Sequence, residues 1–304
     1  MPAPCGQFLA SRRGTLEEGH LPIARRFLVA QDIDRADIIE LLEKLAETAP
    51  VSANRTLACV RKMFKWAILV GILDKNHHSP CRDIPRPSPE SPRDRVLSEE
   101  EIRGVWNACD VLDPLMAALF RLRLVTAQRG GEVASMEWSE VDLESGWWVI
   151  PATKAKNKTQ HRVPLTAMAV RILESLKRRQ QKLENEAKRD SKFVFFAPRA
   201  ASKPHVAELQ KAAQRLRAAT APDEDSEPID FTPHDLRRTA ASMMTSMQIP
   251  RSTVAKILNH TDPSVTATTY DKYSYDQEKR DALDAWAKRL MIIISTLKVV
   301  NREA

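Results

Sequence analysis

Cysteine, glycine and tyrosine are scarce in this sequence. Its 304 residues include only four cysteines, eight glycines and three tyrosines. Cys5, Cys59, Cys81 and Cys109 show neither C-x-x-C spacing nor the density of a disulfide scaffold. The sequence therefore argues against a disulfide-rich secreted protein and predicts ordinary thiols in a reducing compartment.

Long apolar runs are also absent. No stretch reaches the ~18 consecutive apolar residues that are needed to span a bilayer, and residues 290–300 are interrupted by Ser295, Thr296 and Lys298. The first residues lack the basic-then-apolar pattern of a signal peptide. We expect a cytoplasmic protein without a membrane partner.

Positive charge is in moderate excess. Lys and Arg total 47 against 40 Asp and Glu, which gives a formal net charge of +7. This balance favours a polyanionic partner such as nucleic acid, although many basic proteins bind no polyanion. Neither carboxylates nor Cys and His residues cluster at the spacing of metal ligands, so the sequence predicts no metal and no cofactor.

A proline-rich segment divides the chain. Residues 80–96 hold five prolines among charged residues, and proline removes a backbone donor and disfavours helix in the residue before it. This composition predicts an extended linker between a front domain, 31–79, and a back domain, 97–290. Residues 1–30 are unassigned, with partial disorder as one option, and residues 291–304 form a tail.

The front domain reads as helical. Residues 34–47 show apolar side chains at three- and four-residue spacing, and Ser52 is expected to cap a second helix that runs to about Leu73. One side of this second helix is basic, and it is either a DNA-binding face or an ordinary solvated surface. Its residues are Arg55, Arg61, Lys62 and Lys65.

The back domain combines helices with one β-hairpin. Ser98 begins a capping box and Asp113 precedes a proline at a helix start. The hairpin is predicted from residues 147–150 and 161–165, which flank a lysine-rich turn. The predicted fold class is therefore mainly α with a small β-sheet (α+β).

Four short motifs carry residues that are capable of chemistry. His234 and Arg237 lie three apart at a helix start and can clamp a phosphate, because guanidinium donors match phosphate oxygens. Arg129 precedes two glycines, the turn of the hairpin holds lysines, and His260 is followed by Tyr270. Each motif alone is a weak signal, since surface ion pairs and solvated turns are more common than sites.

In their order along the chain, these motifs match a known family. The sequence resembles the tyrosine recombinase (phage integrase) family over about residues 35–290. TAQRGGEVASMEWSEVDL resembles the first arginine box of that family, TPHDLRRTAASMM the second, and LNHTDPSVTATTY the closing histidine–tyrosine box. The resemblance implies a helical core-binding domain and a mostly helical catalytic domain that close as a C-shaped clamp on double-stranded DNA.

The resemblance also implies how the phosphate is held. Arg129 and Arg237 would bind its two non-bridging oxygens, in place of the metal ions that other nucleases use. Glu132 would support Arg129. His234 and His260 would add hydrogen bonds and help to manage the proton of the nucleophile.

Tyr270 is the nucleophile that the resemblance implies. It lies ten residues after His260, within the spacing of nine or ten that is usual in the family, whereas Tyr273 and Tyr275 lie too far along. Its attack on phosphorus would leave a 3′-phosphotyrosine and a free 5′-hydroxyl, without metal or ATP. The implied assembly is a homotetramer on two duplexes, with a DNA-bending accessory protein as a further option.

Two lysines of the turn compete for the role of general acid. Lys156 lies seven residues before Val163, which is the usual spacing of the family. Lys154 fits its threonine–lysine pattern at the turn. Lys156 is the preferred general acid and Lys154 the alternative.

The sequence departs from the family in two places. Asn259 stands where glycine usually precedes the histidine, which could alter the local turn. The front is short, whereas a typical phage integrase has a further N-terminal module. The short front leaves open a truncated or degenerate relative that only binds DNA. A second alternative is a type IB topoisomerase, which shares the chemistry but relaxes supercoils without a specific site.

Overall fold

Two separately packed units make up the chain, Met1–Arg93 and Asp94–Ala304. The computed structural model describes residues 30–76, 78–91, 93–187, 191–197, 205–206, 209–221, 223, 226–260 and 273–296. These residues form ten α-helices and one three-stranded sheet, which confirms the predicted fold class. Within them, no helix combines the length and apolar character that a membrane span requires.

Two helices build the first unit. Helix α1 (Arg35–Thr48) begins at a capping box of Asp34 and Asp37. Helix α2 (Pro50–Leu69) begins three residues earlier than predicted, because Pro50 takes the first helical position and Ser52 does not cap the helix. The core between and beside them consists of Ile38, Leu42, Leu57, Phe64, Ala67, Leu73, Cys81 and Ile84.

Part of the proline-rich segment packs into this first unit. The Nδ2 of Asn54 donates to the carbonyl of Ser88 at 2.7 Å. Arg61 donates to the carbonyls of Cys81, at 3.3 Å, and Ile84. Arg61, one of the four residues of the predicted basic face, therefore holds the proline-rich segment on α2.

The second unit is built around a buried helix. Helix α3 (Glu99–Ala108) begins at the predicted capping box of Ser98, and Asp113 caps helix α4 (Pro114–Thr126). Helix α4 carries apolar residues on nearly every face, so it is buried among other apolar side chains. The remaining elements are α5 (Gly130–Ala134), β1 (Val141–Asp142), β2 (Trp147–Ile150), β3 (His161–Pro164), α6 (Ala167–Ala187), α7 (Leu209–Ala218), α8 (Asp235–Ser246), α9 (Arg251–Ile257) and α10 (Asp276–Ser295).

The predicted hairpin is confirmed as β2 and β3, which pair antiparallel with Trp148 opposite Val163 and Ile150 opposite His161. The two-residue strand β1 extends the sheet on the other side of β2. Trp148, Ile150 and Val163 are buried and dock the sheet on the helical core. Residues 151–160 belong to neither strand, so strand alternation does not decide where the lysines of the turn point.

Helix α10 packs on its own unit. Its Trp286 is fully buried and donates through Nε1 to the carbonyl of Leu124 at 3.0 Å, inside α4. Leu283, Leu290 and Ile293 are buried on the same stripe. The apolar stripe of α10 therefore packs within one copy of the chain as far as Ile293.

Candidate active site

The end of helix α9 has the geometry of a Schellman motif. The backbone N–H of Asn259 donates to the carbonyl of Lys256 at 3.1 Å, and that of His260 to Ala255 at 3.0 Å. Asn259 adopts a left-handed conformation with φ of 48°. Glycine is usual at such a position and asparagine is the next most tolerated residue, so Asn259 preserves a regular helix end.

Two arginines donate to the free carbonyls at this helix end. Arg237 of α8 donates to the carbonyl of Leu258, and Arg129 donates to that of Asn259 at 3.4 Å. The last carbonyls of a helix lack intrahelical partners and carry its negative dipole end, so they attract cations. The structure thus brings together two arginines that are far apart in sequence.

Arg129 is held by a carboxylate. It precedes α5, and its Nη1 lies 3.1 Å from Oε1 of Glu132. Glu132 is 5% exposed, whereas the side chain of Arg129 is 24% exposed. The guanidinium is therefore partly exposed and pairs with a buried carboxylate.

Arg237 is more deeply buried. It is 3% exposed and donates from Nη1 to the carbonyl of Ala127 at 2.9 Å. Burial, together with the nearby charge of Arg129, lowers the pKa of Arg237 to about 10. Two cations brought this close in a partly desolvated place form a natural anion site.

His234 and His260 flank the two arginines and are exposed. Partial burial, followed by the charges of Arg238 and Arg237, lowers the pKa of His234. Partial burial, followed by the charges of Arg237 and Arg129, lowers the pKa of His260. Both rings are therefore mainly neutral near pH 7, and each can donate one hydrogen bond and accept another.

The two candidate lysines have different surroundings. Lys154 donates to the carbonyl of Ser135 at 2.7 Å and forms ion pairs with Glu137 and Glu140. Lys156 is exposed and makes no hydrogen bond or ion pair within the described part of the chain. Lys154 thus holds the turn in place, and the ammonium of Lys156 is available to a ligand.

The hairpin turn reaches the end of α9 through an asparagine. Nδ2 of Asn157 donates to Oδ1 of Asn259 at 2.8 Å, and Nδ2 of Asn259 donates back to Oδ1 of Asn157 at 3.2 Å. Lys156 directly precedes Asn157, and His260 directly follows Asn259. The structure thereby brings the turn of Lys156 to the arginines and histidines.

Two buried residues that the sequence did not single out support the same helix end. Nε2 of Gln128 and Nε2 of His161 lie 2.9 and 3.0 Å from the carbonyl of Ile257. Gln128 lies directly before Arg129 in the first arginine box, and His161 begins β3. Both residues lie inside segments that the sequence analysis had identified, the first arginine box and the hairpin. That position was the only sequence feature that could have pointed to them.

Acid is expected to destabilise the second unit through His161. Burial lowers the pKa of His161 to about 4, so between pH 6.5 and 4 the unfolded chain binds more protons than the folded one. The free energy of unfolding should therefore fall by about 2 kcal/mol between pH 7 and pH 5. His161→Gln, compared by urea titration with tryptophan fluorescence, should remove that part of the loss; an unchanged pH dependence would contradict this assignment.

A third arginine, Arg123, lies behind the site. It projects from α4, is 3% exposed, and donates to the carbonyl of Pro233, next to His234. Burial lowers its pKa to about 10. A Cβ at Gly130 would lie 2.8 Å from Cζ of Arg123, so a side chain at this position would require the guanidinium to shift.

The remaining predicted site residues lie either outside the described residues or in the first unit. Tyr270 lies outside the described residues, so its role stays a prediction. Arg55, Arg61, Lys62 and Lys65 are exposed on α2, in the first unit. Among the described residues, no three His, Cys, Asp or Glu side chains are grouped to hold a metal ion.

Comparison with known proteins identifies relatives. The model of the phage integrase family matches residues 95–277. A Haemophilus influenzae protein described as an integrase/recombinase is 29% identical over 257 residues, which cover 82% of this chain and 75% of the relative. Prophage integrase IntA of Escherichia coli is 27% identical over 169 residues, 56% of this chain and 37% of its own length. The chain thus spans well under half of that second relative.

Solved structures share the fold. A lambda integrase tetramer bound to a Holliday junction superimposes with a TM-score of 0.58 at 20% identity, covering 88% of this chain and 76% of that chain. The XerH site-specific recombinase bound to its difH substrate gives a TM-score of 0.55 at 17% identity, covering 79% of this chain and 68% of that chain. At these identities the likeness concerns the fold alone.

Proposed function

Because the chain belongs to the phage integrase family, we propose that it is a tyrosine-type site-specific recombinase that cuts and rejoins double-stranded DNA. The observation that carries the proposal is the meeting of Arg129 and Arg237 at the end of α9, flanked by His234 and His260. This cluster offers hydrogen-bond donors and positive charge to one phosphate. A metal-dependent nuclease would group several carboxylates there to hold its cations, whereas the carboxylate of Glu132 is paired with Arg129.

The two arginines stabilise the charge that develops on the phosphate. During attack the phosphorus becomes pentavalent and its non-bridging oxygens gain negative charge. Guanidinium groups that are already held in place stabilise this charge without reorganising at the moment of reaction. The buried Glu132 keeps Arg129 oriented, and the carbonyl of Ala127 does the same for Arg237.

Proton transfer accompanies each bond change. The hydroxyl of Tyr270 loses its proton as its oxygen bonds to phosphorus, and the neutral rings of His234 and His260 can help to manage that proton. The bond from phosphorus to the 5′-oxygen breaks, and Lys156 supplies the proton of the new 5′-hydroxyl. The 3′-phosphotyrosine retains the bond energy, so rejoining needs no ATP.

The proposed assembly follows from the relatives. Lambda integrase has been crystallised as a tetramer on a Holliday junction, and we propose that four copies of this chain likewise join on two DNA duplexes. We propose that the protein acts in the cytoplasm. A DNA-bending accessory protein stays a prediction from the resemblance.

The basic face of α2 is expected to contact DNA phosphates. Arg55→Ala, Lys62→Ala and Lys65→Ala combined should lower the slope of log affinity against log salt by ~0.9 for each lost contact. Arg61 is left intact because it holds the carbonyls of Cys81 and Ile84. Fluorescence anisotropy at several salt concentrations measures the slope.

A matched control removes the same charge elsewhere. Arg171, Arg179 and Lys182 are exposed on α6, and replacing them with alanine should leave the slope nearly unchanged. Equal slopes for the α2 variant and the wild type would show that the basic face of α2 does not touch DNA.

Covalent trapping tests the proposed function without knowledge of the target site. The protein is incubated with a library of nicked duplexes of randomised sequence. Cleavage releases a short fragment that carries the new 5′-hydroxyl, and the loss of this fragment by diffusion prevents rejoining. Denaturing gels should reveal protein linked to DNA, and sequencing the trapped DNA should give one recurring site. Excess EDTA should leave the adduct intact, because arginines stabilise the charge.

The outcomes separate the alternatives. Specific binding without any adduct would indicate a DNA-binding remnant. Adducts without a recurring site, together with relaxation of supercoiled plasmid, would indicate a topoisomerase. Cleavage that disappears in EDTA and returns with Mg²⁺ would require a different mechanism.

A further inference from the structure

The turn that carries Lys156 is fixed on both sides. Before it, Lys154 donates to the carbonyl of Ser135 at 2.7 Å and pairs with two carboxylates. After it, Asn157 is bonded to Asn259. The contacts of Lys154 and Asn157 therefore restrain the backbone on both sides of Lys156, while the side chain of Lys156 is exposed.

The amide group of Asn157 is fully used. Besides the two hydrogen bonds with the side-chain amide of Asn259, at 2.8 and 3.2 Å, its Nδ2 donates to the carbonyl of Asn259 at 3.4 Å and its Oδ1 accepts the backbone N–H of Thr159 at 3.3 Å. Two amides that donate to each other fix both their separation and their relative orientation. A contact of this kind positions the turn more tightly than one hydrogen bond from a flexible lysine.

The other end of this contact lies inside the phosphate site. Asn259 directly precedes His260, and its carbonyl accepts from Arg129 at 3.4 Å. The Schellman motif of α9 fixes its backbone. The amide pair thus connects the lysine turn to the residues that surround the phosphate, across 102 positions of sequence.

We propose that Asn157 and Asn259 are positioning residues that align Lys156 with the leaving 5′-oxygen. The inference rests on the proposed function and names a device for its proton-transfer step. Glycine at position 259 would allow the same left-handed backbone but would offer no amide to the turn. The asparagine here therefore adds a restraint that glycine lacks.

The test uses Asn157→Ala, Asn259→Gly and the double variant in the full chain. Glycine is chosen at 259 because it retains the backbone conformation that alanine would strain. The DNA is the duplex recovered by covalent trapping, made either with a normal phosphate or with sulfur in place of the bridging 5′-oxygen. A thiolate can leave without being protonated. The cleavage rate of this second substrate therefore depends on every step except proton donation to the leaving group.

Each single variant should cleave the normal substrate ~10- to 100-fold more slowly, within the ~10²–10⁴-fold that a general acid supplies. The double variant should be no slower than the slower single variant, because either change breaks the same contact. The sulfur substrate should restore all three variants to nearly the wild-type rate. Asn107→Ala, an exposed asparagine of α3, is the matched control and should cleave normally.

Several outcomes would overturn the assignment. Equal slowing on both substrates would mean that the pair does not serve protonation, and wild-type rates would mean that it is dispensable. Weaker DNA binding by Asn157→Ala alone, measured by anisotropy, would make Asn157 a DNA contact. If the wild-type protein traps no duplex from the library, the proposed function is overturned together with this assignment, whereas the other outcomes leave that function standing.

Discussion

Tyr270→Phe is expected to abolish the covalent DNA adduct while leaving DNA affinity nearly unchanged. The variant retains the ring and loses only the oxygen that would bond to phosphorus. The adduct is measured on denaturing gels with the nicked substrate, and affinity is measured by anisotropy. This is the largest effect expected for any single substitution, because no other group can replace the nucleophile.

The neighbouring tyrosines provide the controls. Tyr273→Phe and Tyr275→Phe should still form the adduct. The nearby carboxylate of Glu278 raises the pKa of Tyr273, which disfavours the ionised form that a nucleophile needs. An adduct that maps to Tyr273 or Tyr275 by peptide sequencing would show that the assignment of Tyr270 is wrong.

Lys156→Ala is expected to slow cleavage by ~10²–10⁴-fold, the usual contribution of general acid catalysis. The substrate with sulfur at the bridging position should restore the rate, because its leaving group needs no proton. It should not restore Arg129→Ala or Arg237→Ala, whose loss removes charge stabilisation. Single-turnover cleavage on both substrates provides the comparison.

Lys154→Ala is the matched control for the turn. Its ammonium lies between Glu137 and Glu140, so its loss leaves two carboxylates without their shared cation and should lower thermal stability. If sulfur rescued Lys154→Ala and Lys156→Ala cleaved normally, the acid would be Lys154. If neither variant were rescued, the proton would come from another group, with His234 the next candidate.

Local signals predicted most helix starts and the hairpin. The capping box at Ser98 and the Asp113–Pro114 pair act within one turn of a helix, so they can be recognised without tertiary information. The prediction that Ser52 caps α2 was wrong, because Pro50, an equally local signal, occupies the first position of the helix. Strand β1 has only two residues, too few for an alternation to be visible.

The site could be predicted by residue type but not by contact. The motifs indicated Arg129, Arg237, His234 and His260, and the structure groups all four around the end of α9. The partners of these motifs depend on long-range packing: the carbonyl of Ile257 meets His161 from 96 positions away. From the sequence, Lys154 was the alternative general acid. In the fold, its ammonium forms ion pairs with Glu137 and Glu140.

The fit between Arg123 and Gly130 has an evolutionary consequence. The guanidinium is tethered to the carbonyl of Pro233 and fills the space that any side chain at 130 would enter. Alanine or a larger residue at position 130 would require this guanidinium to shift, so relatives that carry one should lack arginine at position 123 more often than relatives with glycine. A lineage that leaves this combination is expected to lose the arginine first, since a side chain gained at 130 beforehand would collide with it.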